Sequence, residues 1–318
     1  MKNLLTGIMV TIIVLMAGMK AIAQEKADTS KQFQLLQSTS PALRRQAVSE
    51  IGELRTEKAI DRLGEVLQED PNFTVRALAA EALGNMRDKR ATSYLIDALG
   101  DVNRNVKASA IVSFGYIRDP KAVKPLIEFV KEEENVGLKI SALNVLGVIG
   151  DSRAVTPLVE ALENDNPRIR RIAAQSLGRL RDKESVDALI DAADDKNEGV
   201  RLFAVRALGE IGSEDAVKPL KKLLDDEENL EVKIAAAHAL GQLGEDDGLS
   251  VALEAAASDK TDIKRKGLRA LSAIGKVNEE VWSTVLGAYS SDDPGIKRDA
   301  ETAASFLGID LLEEHPEE

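Results

Sequence analysis

The sequence predicts an all-α chain, an α-solenoid of about eight helical hairpins with a cap at each end. Three observations carry that prediction. A glycine recurs at Gly52, Gly84, Gly115, Gly147, Gly178, Gly209 and Gly241, and Ser272 and Ser305 continue the series, so that nine anchors stand 31 to 33 residues apart. Several other columns keep step with the anchor, which is the mark of stacked supersecondary units. Aromatic residues make up only 3% of the chain, as expected of thin layers built from Ala, Leu, Val and Ile.

The chain opens with a segment to set aside. Residues 1–23 read as a secretory signal peptide. Lys2 precedes an apolar run from Leu4 to Met19, and Ala21-Ile22-Ala23 gives a small-x-small cleavage pattern before Gln24. The run is short of the roughly 20 residues that span a bilayer, so removal is expected and no integral membrane segment should remain. No Cys follows, which excludes a lipid-anchored form. Removing 23 of 318 residues leaves 295. Lys2 and Lys20 go with them and no acid does, so the net charge moves from −12 to −14. The expected location is outside the cytoplasm, in the periplasm or beyond it. Residues 24–39 follow as an N-terminal cap, with Phe33, Leu35 and Leu36 as its apolar side chains. The solenoid occupies 40–309, and 310–318 form an acidic tail.

Each unit is a helical hairpin whose second helix carries the anchor. Twelve residues before it stand Asn72, Asn103, Asn135, Asn166, Asn197 and Asn229, with Ser40 and Asp293 in equivalent places. Such side chains accept from a free first-turn N–H. Pro41, Pro167 and Pro294 come next, at a position where no N–H is missed. First helices open after Asp88, Asp119, Asp151, Asp182 or Ser213. Pro125, Pro157 and Pro219 lie a little way in, where they should bend the helix or delay its regular start.

On a wheel of 100° per residue, positions −9, −5, −2, −1 and +2 from the anchor share one apolar arc, widened by −4 and 0. Glycine inside a helix costs about 1 kcal/mol against alanine. Close approach of a neighbouring helix is the expected compensation. At −8, inside the buried arc, stands a base in every unit: Arg44, Arg76, Lys107, Lys139, Arg170, Arg201, Lys233, Lys264 and Lys297. A buried charge needs a partner. The expected partners are carboxylates in the loop just upstream, such as Asp70, Asp101, Asp165, Asp195 and Asp259.

The run Val-Arg-x-x-Ala-x-x-Ala-Leu-Gly-x-Ile-Gly-Asp-x-x-Ala-Val-x-Pro-Leu, nearly all of it present from Val200 to Leu220 with Ser213 at the Asp place, resembles the HEAT repeat in its short, phycobilisome-lyase-like bacterial form. The resemblance spans about residues 40–308. It implies a ladder of Asp and Arg between repeats and a concave side lined by second helices.

The same family contains enzymes, and their chemistry can be tested against the residues. The absence of cysteine removes disulfides, thiolate zinc sites, iron–sulfur clusters and cysteine nucleophiles together. The resemblance to deoxyhypusine hydroxylase implies di-iron held by His-Glu pairs. Only His238 and His315 exist here, and neither forms such a pair. Phycobilin lyases handle a cysteine-linked chromophore inside pigment-bearing cells, a setting that an exported chain departs from. Base-excising helical repeats need a basic groove. A charge of −12 argues against that and against a nucleic-acid partner. The acidic runs at 132–134 and 225–228 lack the alternating carboxylates and glycine of a calcium loop and read as solvated loops. No cofactor, metal or catalytic set is expected, and no enzyme.

Positions −10, −7, −6, −3 and +1 form the remaining arc, which no packing rule fills. Leu78, Val112, Tyr116, Val148, Ile172 and Phe203 stand there, with Asn144, Gln175, Arg179, Arg206 and His238. Apolar side chains rimmed by arginine and amides suit a protein partner. The expectation is a protein or peptide bound along this strip by a non-enzymatic scaffold; the alternatives are a HEAT-repeat enzyme of lyase or hydroxylase type using the same groove, or a carrier of a small ligand or peptide. His238 is expected to be an ordinary rim histidine.

Overall fold

A computed structural model describes residues 31–311. The expected signal peptide at 1–23, residues 24–30 of the expected N-terminal cap, residues 312–318 of the expected acidic tail, and with them His315, lie outside the described residues. Among those described there is no strand, and no helix is long and apolar enough to cross a membrane. The chain divides into two units, Met1–Glu132 and Glu133–Glu318.

The first unit begins with a helical stretch at 31–35. It continues with α1 (Pro41–Gly52), α2 (Glu57–Glu69), α3 (Phe73–Met86), α4 (Thr92–Asp97), α5 (Arg104–Ile117) and α6 (Val123–Glu132). The second holds α7 (Val136–Ile149), α8 (Val155–Ala161), α9 (Pro167–Leu180), α10 (Val186–Ala192), α11 (Glu198–Ile211) and α12 (Val217–Asp226). It ends with α13 (Leu230–Gln242), α14 (Leu249–Ala257), α15 (Thr261–Ile274), α16 (Glu279–Tyr289) and α17 (Pro294–Leu307). Odd-numbered helices are the anchored second helices of repeats one to nine. Even-numbered ones are the first helices. Odd helices pack against odd in succession, α1 on α3 and α3 on α5 in one unit, α7 through α17 in the other. This is the stacking of an α-solenoid.

Local chemistry sets the helix starts. Asn72, Asn103, Asn135, Asn166, Asn197, Asn229 and Asp293 each accept from a first-turn N–H. Ser40 does not cap with its side chain; there Pro41 alone begins the helix. The even helices of repeats three to seven start with a short 3₁₀ turn, and α4, α6, α8, α10 and α12 continue from it. Asp88, Asp119, Asp151 and Asp182 cap those turns, and Ser213 does not. Pro125, Pro157 and Pro219 each fall on the third residue of the α-helix. The delayed start is real, but α10 shows it without a proline. Since α12 shows it behind Ser213 without a side-chain cap, neither the proline nor the aspartate cap is required for it.

Odd helices stop at one column. Three residues after the anchor stand Arg55, Arg87, Arg118, Gly150, Arg181, Gly212, Gly244, Gly275 and Gly308, all with positive φ. A left-handed residue lets the last turn close on itself. Four repeats place an arginine where glycine would cost nothing.

The buried arc follows the wheel. In α11, Val200, Ala204, Val205, Ala207, Leu208, Gly209 and Ile211 are buried. The anchor glycine meets the small residue at −2 of the next repeat. A Cβ at Gly84 would lie 2.8 Å from the Ser113 Cα, and one at Gly147 would lie 2.8 Å from the Ser176 Cα. The buried Ser113 and Ser176 hydroxyls donate back to the carbonyls of Ala80 (2.8 Å) and Leu143 (3.0 Å). The one repeat that breaks the alanine column at −5 has a reason of the same kind. A Cβ on Gly267 would come 2.2 Å from the Ala256 backbone nitrogen, because α14 crosses α15 there at closest approach.

Candidate protein-binding surface

The basic column is structural where it is arginine. Arg170 Nε donates to Asp195 at 2.6 Å and its Nη2 to the other carboxylate oxygen at 2.8 Å, while Nη1 donates to the Asn164 carbonyl at 2.8 Å. Asp195 also accepts from the Asn197 N–H at 2.7 Å, at the start of α11. Arg44 with Asp70, Arg76 with Asp101 and Arg201 with Glu227 repeat this arrangement. Bidentate pairing is what a planar guanidinium offers and an ammonium does not. Lys107, Lys139, Lys233 and Lys264 are half-buried and Lys297 is exposed. Lys107 and Lys297 lie over the rings of Phe129 and Tyr289.

Two expectations are corrected here. The carboxylate comes from the next repeat, 25 or 26 residues downstream, and not from the loop upstream. The upstream loop supplies a backbone carbonyl, as Asp70 does to Arg76 at 2.8 Å. Its own carboxylate already serves the arginine one repeat earlier. Asp165 accordingly meets Arg170 through its carbonyl oxygen at 3.0 Å, and Asp259 is exposed. The acidic run at 225–228 is also more than a solvated loop, since Glu227 fills the carboxylate place in the seventh repeat. The hydrogen bond from Arg170 holds the Asp195 carboxyl below the usual range against the opposing effect of burial. Arg201 does the same for Glu227.

The strip expected to bind a partner is solvent-accessible. In the first unit Val112 and Tyr116 are 46% and 47% exposed, and Leu78 is half-buried. In the second unit Asn144, Val148, Ile172, Gln175 and Phe203 are half-buried, and Arg179 and Arg206 are exposed. The columns do not stay open along the whole chain, however. In α13 Ile234 and Ala235 are only 2% and 7% exposed, so packing does fill this arc in the seventh repeat.

Side chains on the strip of the second unit interact across repeats. Arg179 donates to Asn144 Oδ1 at 2.6 Å. The guanidinium groups of Arg171 and Arg206 lie 5.8 and 5.5 Å from the Phe203 ring centre. Beyond them opens a pocket of about 270 Å³ lined by Arg206, Glu210, His238, Gln242, Lys266 and Arg269, among others. Burial lowers the His238 imidazole below its ordinary value, and the charges of Arg206 and Arg269 push the same way against a hydrogen bond with Gln242. Arg171, Lys266 and Arg269 were not singled out by the sequence reading. They stand in the same columns as the residues that were. Among the described residues no three His, Asp or Glu side chains are grouped so as to hold a metal ion.

The pattern for HEAT repeats matches residues 30–113, 95–176 and 157–241, which is most of the chain. This protein belongs to the HEAT-repeat family. The fold is shared with two solved structures. A chain in the structure of Kap95p with RanGDP is 14% identical over 88% of this chain and 47% of its own length, with a TM-score of 0.61. The Escherichia coli protein YibA is 19% identical over 86% and 99%, with a TM-score of 0.54. The complex of CpcE and CpcF of phycocyanin lyase from Nostoc sp. is 22% identical over 77% and 93%, and its TM-score of 0.43 carries no argument. No curated protein matches the sequence of this HEAT protein.

Proposed function

We propose that this HEAT protein is an exported, non-enzymatic scaffold that binds a protein or peptide on the exposed face of its odd-numbered helices. One observation carries the reading. Val112 and Tyr116 in the first unit, and Ile172, Phe203, Arg179 and Arg206 in the second, reach solvent in columns that packing leaves open in α5, α9 and α11. Everything else that recurs is used between repeats. The Asn caps, the small residues at −2 and the arginine forks at −8 hold the stack together and leave no reactive set. Membership of a family whose repeats commonly mediate protein binding supports the reading. The apolar run from Leu4 to Met19 with its Ala-x-Ala site supports export. A nucleic-acid partner fits poorly with a net charge of −12.

The test uses the mature chain as bait in envelope extract, beside a variant with Tyr116→Ser and Phe203→Ser. A partner retained by the first and lost by the second, with unchanged circular dichroism, is the expected result. Turnover of a small molecule without any retained protein would sink the scaffold reading. Intact mass from the exporting host is expected to begin at Gln24, and a chain that keeps residues 1–23 would remove the export part.

A further inference from the structure

The strip in the second unit is not electrically like the rest of the molecule. In α9, α11, α13 and α15 the five outward columns hold seven cations against three acids, a local excess of four positive charges on a chain of net charge −12. Most of those cations are already engaged. Lys266 pairs with Glu231 at 2.8 Å, Arg265 and Arg269 meet Asp299 at 2.7 and 3.1 Å, and Arg179 is bound to Asn144. Arg171 and Arg206 differ. Both are exposed, both lie against Phe203, and among the described residues neither meets a carboxylate.

An aromatic ring holds a guanidinium by its face and leaves the N–H donors at its edge pointing to solvent. Two such groups lie against one ring, and half-buried Ile172 stands next to Arg171 on α9, in the same outward column as Phe203 on α11. Each fork fits a carboxylate with two parallel hydrogen bonds. We propose that this face binds an acidic peptide segment, with side-chain carboxylates on Arg171 and Arg206 and an apolar side chain on Phe203 and Ile172. The proposal rests on the scaffold reading and narrows its partner to one chemistry. A phosphate backbone fits less well, because Glu210, Glu231 and Asp262 interrupt the cations on the same face.

The experiment is a selection of random displayed peptides on the immobilised protein, repeated on an Arg171→Glu/Arg206→Glu variant. Both positions are exposed, so the variant should keep its helical circular dichroism. The selected peptides are expected to contain Asp and Glu at about twice the input frequency. A synthetic peptide of the consensus is expected to bind in fluorescence anisotropy and to lose about ten-fold in affinity on the double variant. Lys124→Glu, on α6, should leave the affinity unchanged. Phe203→Leu, which keeps apolar volume but removes the ring under both guanidiniums, should cost about three-fold. Enrichment of peptides without acidic bias, or acidic binding that survives the double variant, overturns the proposal and leaves the scaffold reading standing. No enrichment at all overturns both. An oligonucleotide that binds more tightly than the peptide, or a dimer of the protein that the double variant dissolves, overturns the acidic-peptide assignment in favour of that occupant.

Discussion

A methyl group on Gly147 would lie 2.7 Å from the Ser176 Cβ and 2.8 Å from its Cα. Backbone cannot yield as a side-chain tip can, so Gly147→Ala is expected to destabilise the protein by about 1–3 kcal/mol, the cost of overpacking, measured by urea unfolding. Gly287 in α16 is the control, with nothing within 4 Å of the same methyl. There alanine should stabilise by about 1 kcal/mol through helix propensity. The left-handed arginines offer the converse test. Arg87 has φ 55°, and Arg87→Gly is expected to stabilise by about 1 kcal/mol by relieving the Cβ–carbonyl contact. His238 gives a readout of charge. Arg206, Arg269 and Lys266 face it as cations, with Glu210 and Glu231 as the acids of the same pocket. Its folded value is depressed, so the unfolded chain binds the proton more readily. The His238 contribution to stability is therefore present above the ordinary histidine value and is lost as pH falls through it. Arg206→Gln removes one repelling charge, and the His238 titration followed by NMR should move up.

At the scale of elements, the forks from Arg44, Arg76, Arg170 and Arg201 tie each odd helix to the loop that starts the next one. Asp195→Ala leaves Arg170 without its carboxylate and α11 without the bond to the Asn197 N–H, and is expected to cost on the order of 3 kcal/mol. The pH dependence follows the same pair. Asp195 and Glu227 have folded values below their unfolded ones. Their stabilisation is complete above the ordinary carboxylate range and is lost as pH falls through that range and below it. Acid unfolding of the Asp195→Ala variant should accordingly be less steep. Helix faces predict the opposite for the strip. Tyr116→Ser on α5 removes a half-exposed ring and should change stability by less than about 0.5 kcal/mol, while a sharp loss would place that ring in the core.

At the scale of the whole molecule, the helix contacts described within each unit link a helix to its own hairpin or to the next repeat. Within the second unit, the Asp195 fork joins repeats five and six, while Gly241 abuts Ala273 and Ile274 of repeat eight. The two share no partner. Asp195→Ala combined with Gly241→Ala should therefore lose the sum of the single losses to within about 0.5 kcal/mol, as nearest-neighbour stacking requires. A large coupling would mean that strain travels further than one repeat. Charge is distributed on the same scale. The net charge of the chain is −12, while a positive excess gathers on the outward columns of α9, α11, α13 and α15.

The repeat, the hairpins, the Asn caps, the glycine approach and the exposed strip could all be read from the sequence. Each is fixed within one 31-residue unit or between identical neighbours, so a column of residues reports it nine times over. Lateral detail could not be read, because the period says which layer a residue occupies and not how far one layer is offset from the next. That offset is what sends Arg76 to Asp101 instead of Asp70. It also closes the strip over Ile234 and Ala235 in α13. It brings Arg171, from one repeat, and Arg206, from the next, onto the single ring of Phe203. The sequence by itself determined the architecture through local propensity and repetition. Only the tertiary structure decided which charges meet, because those contacts depend on the relative placement of neighbouring helices.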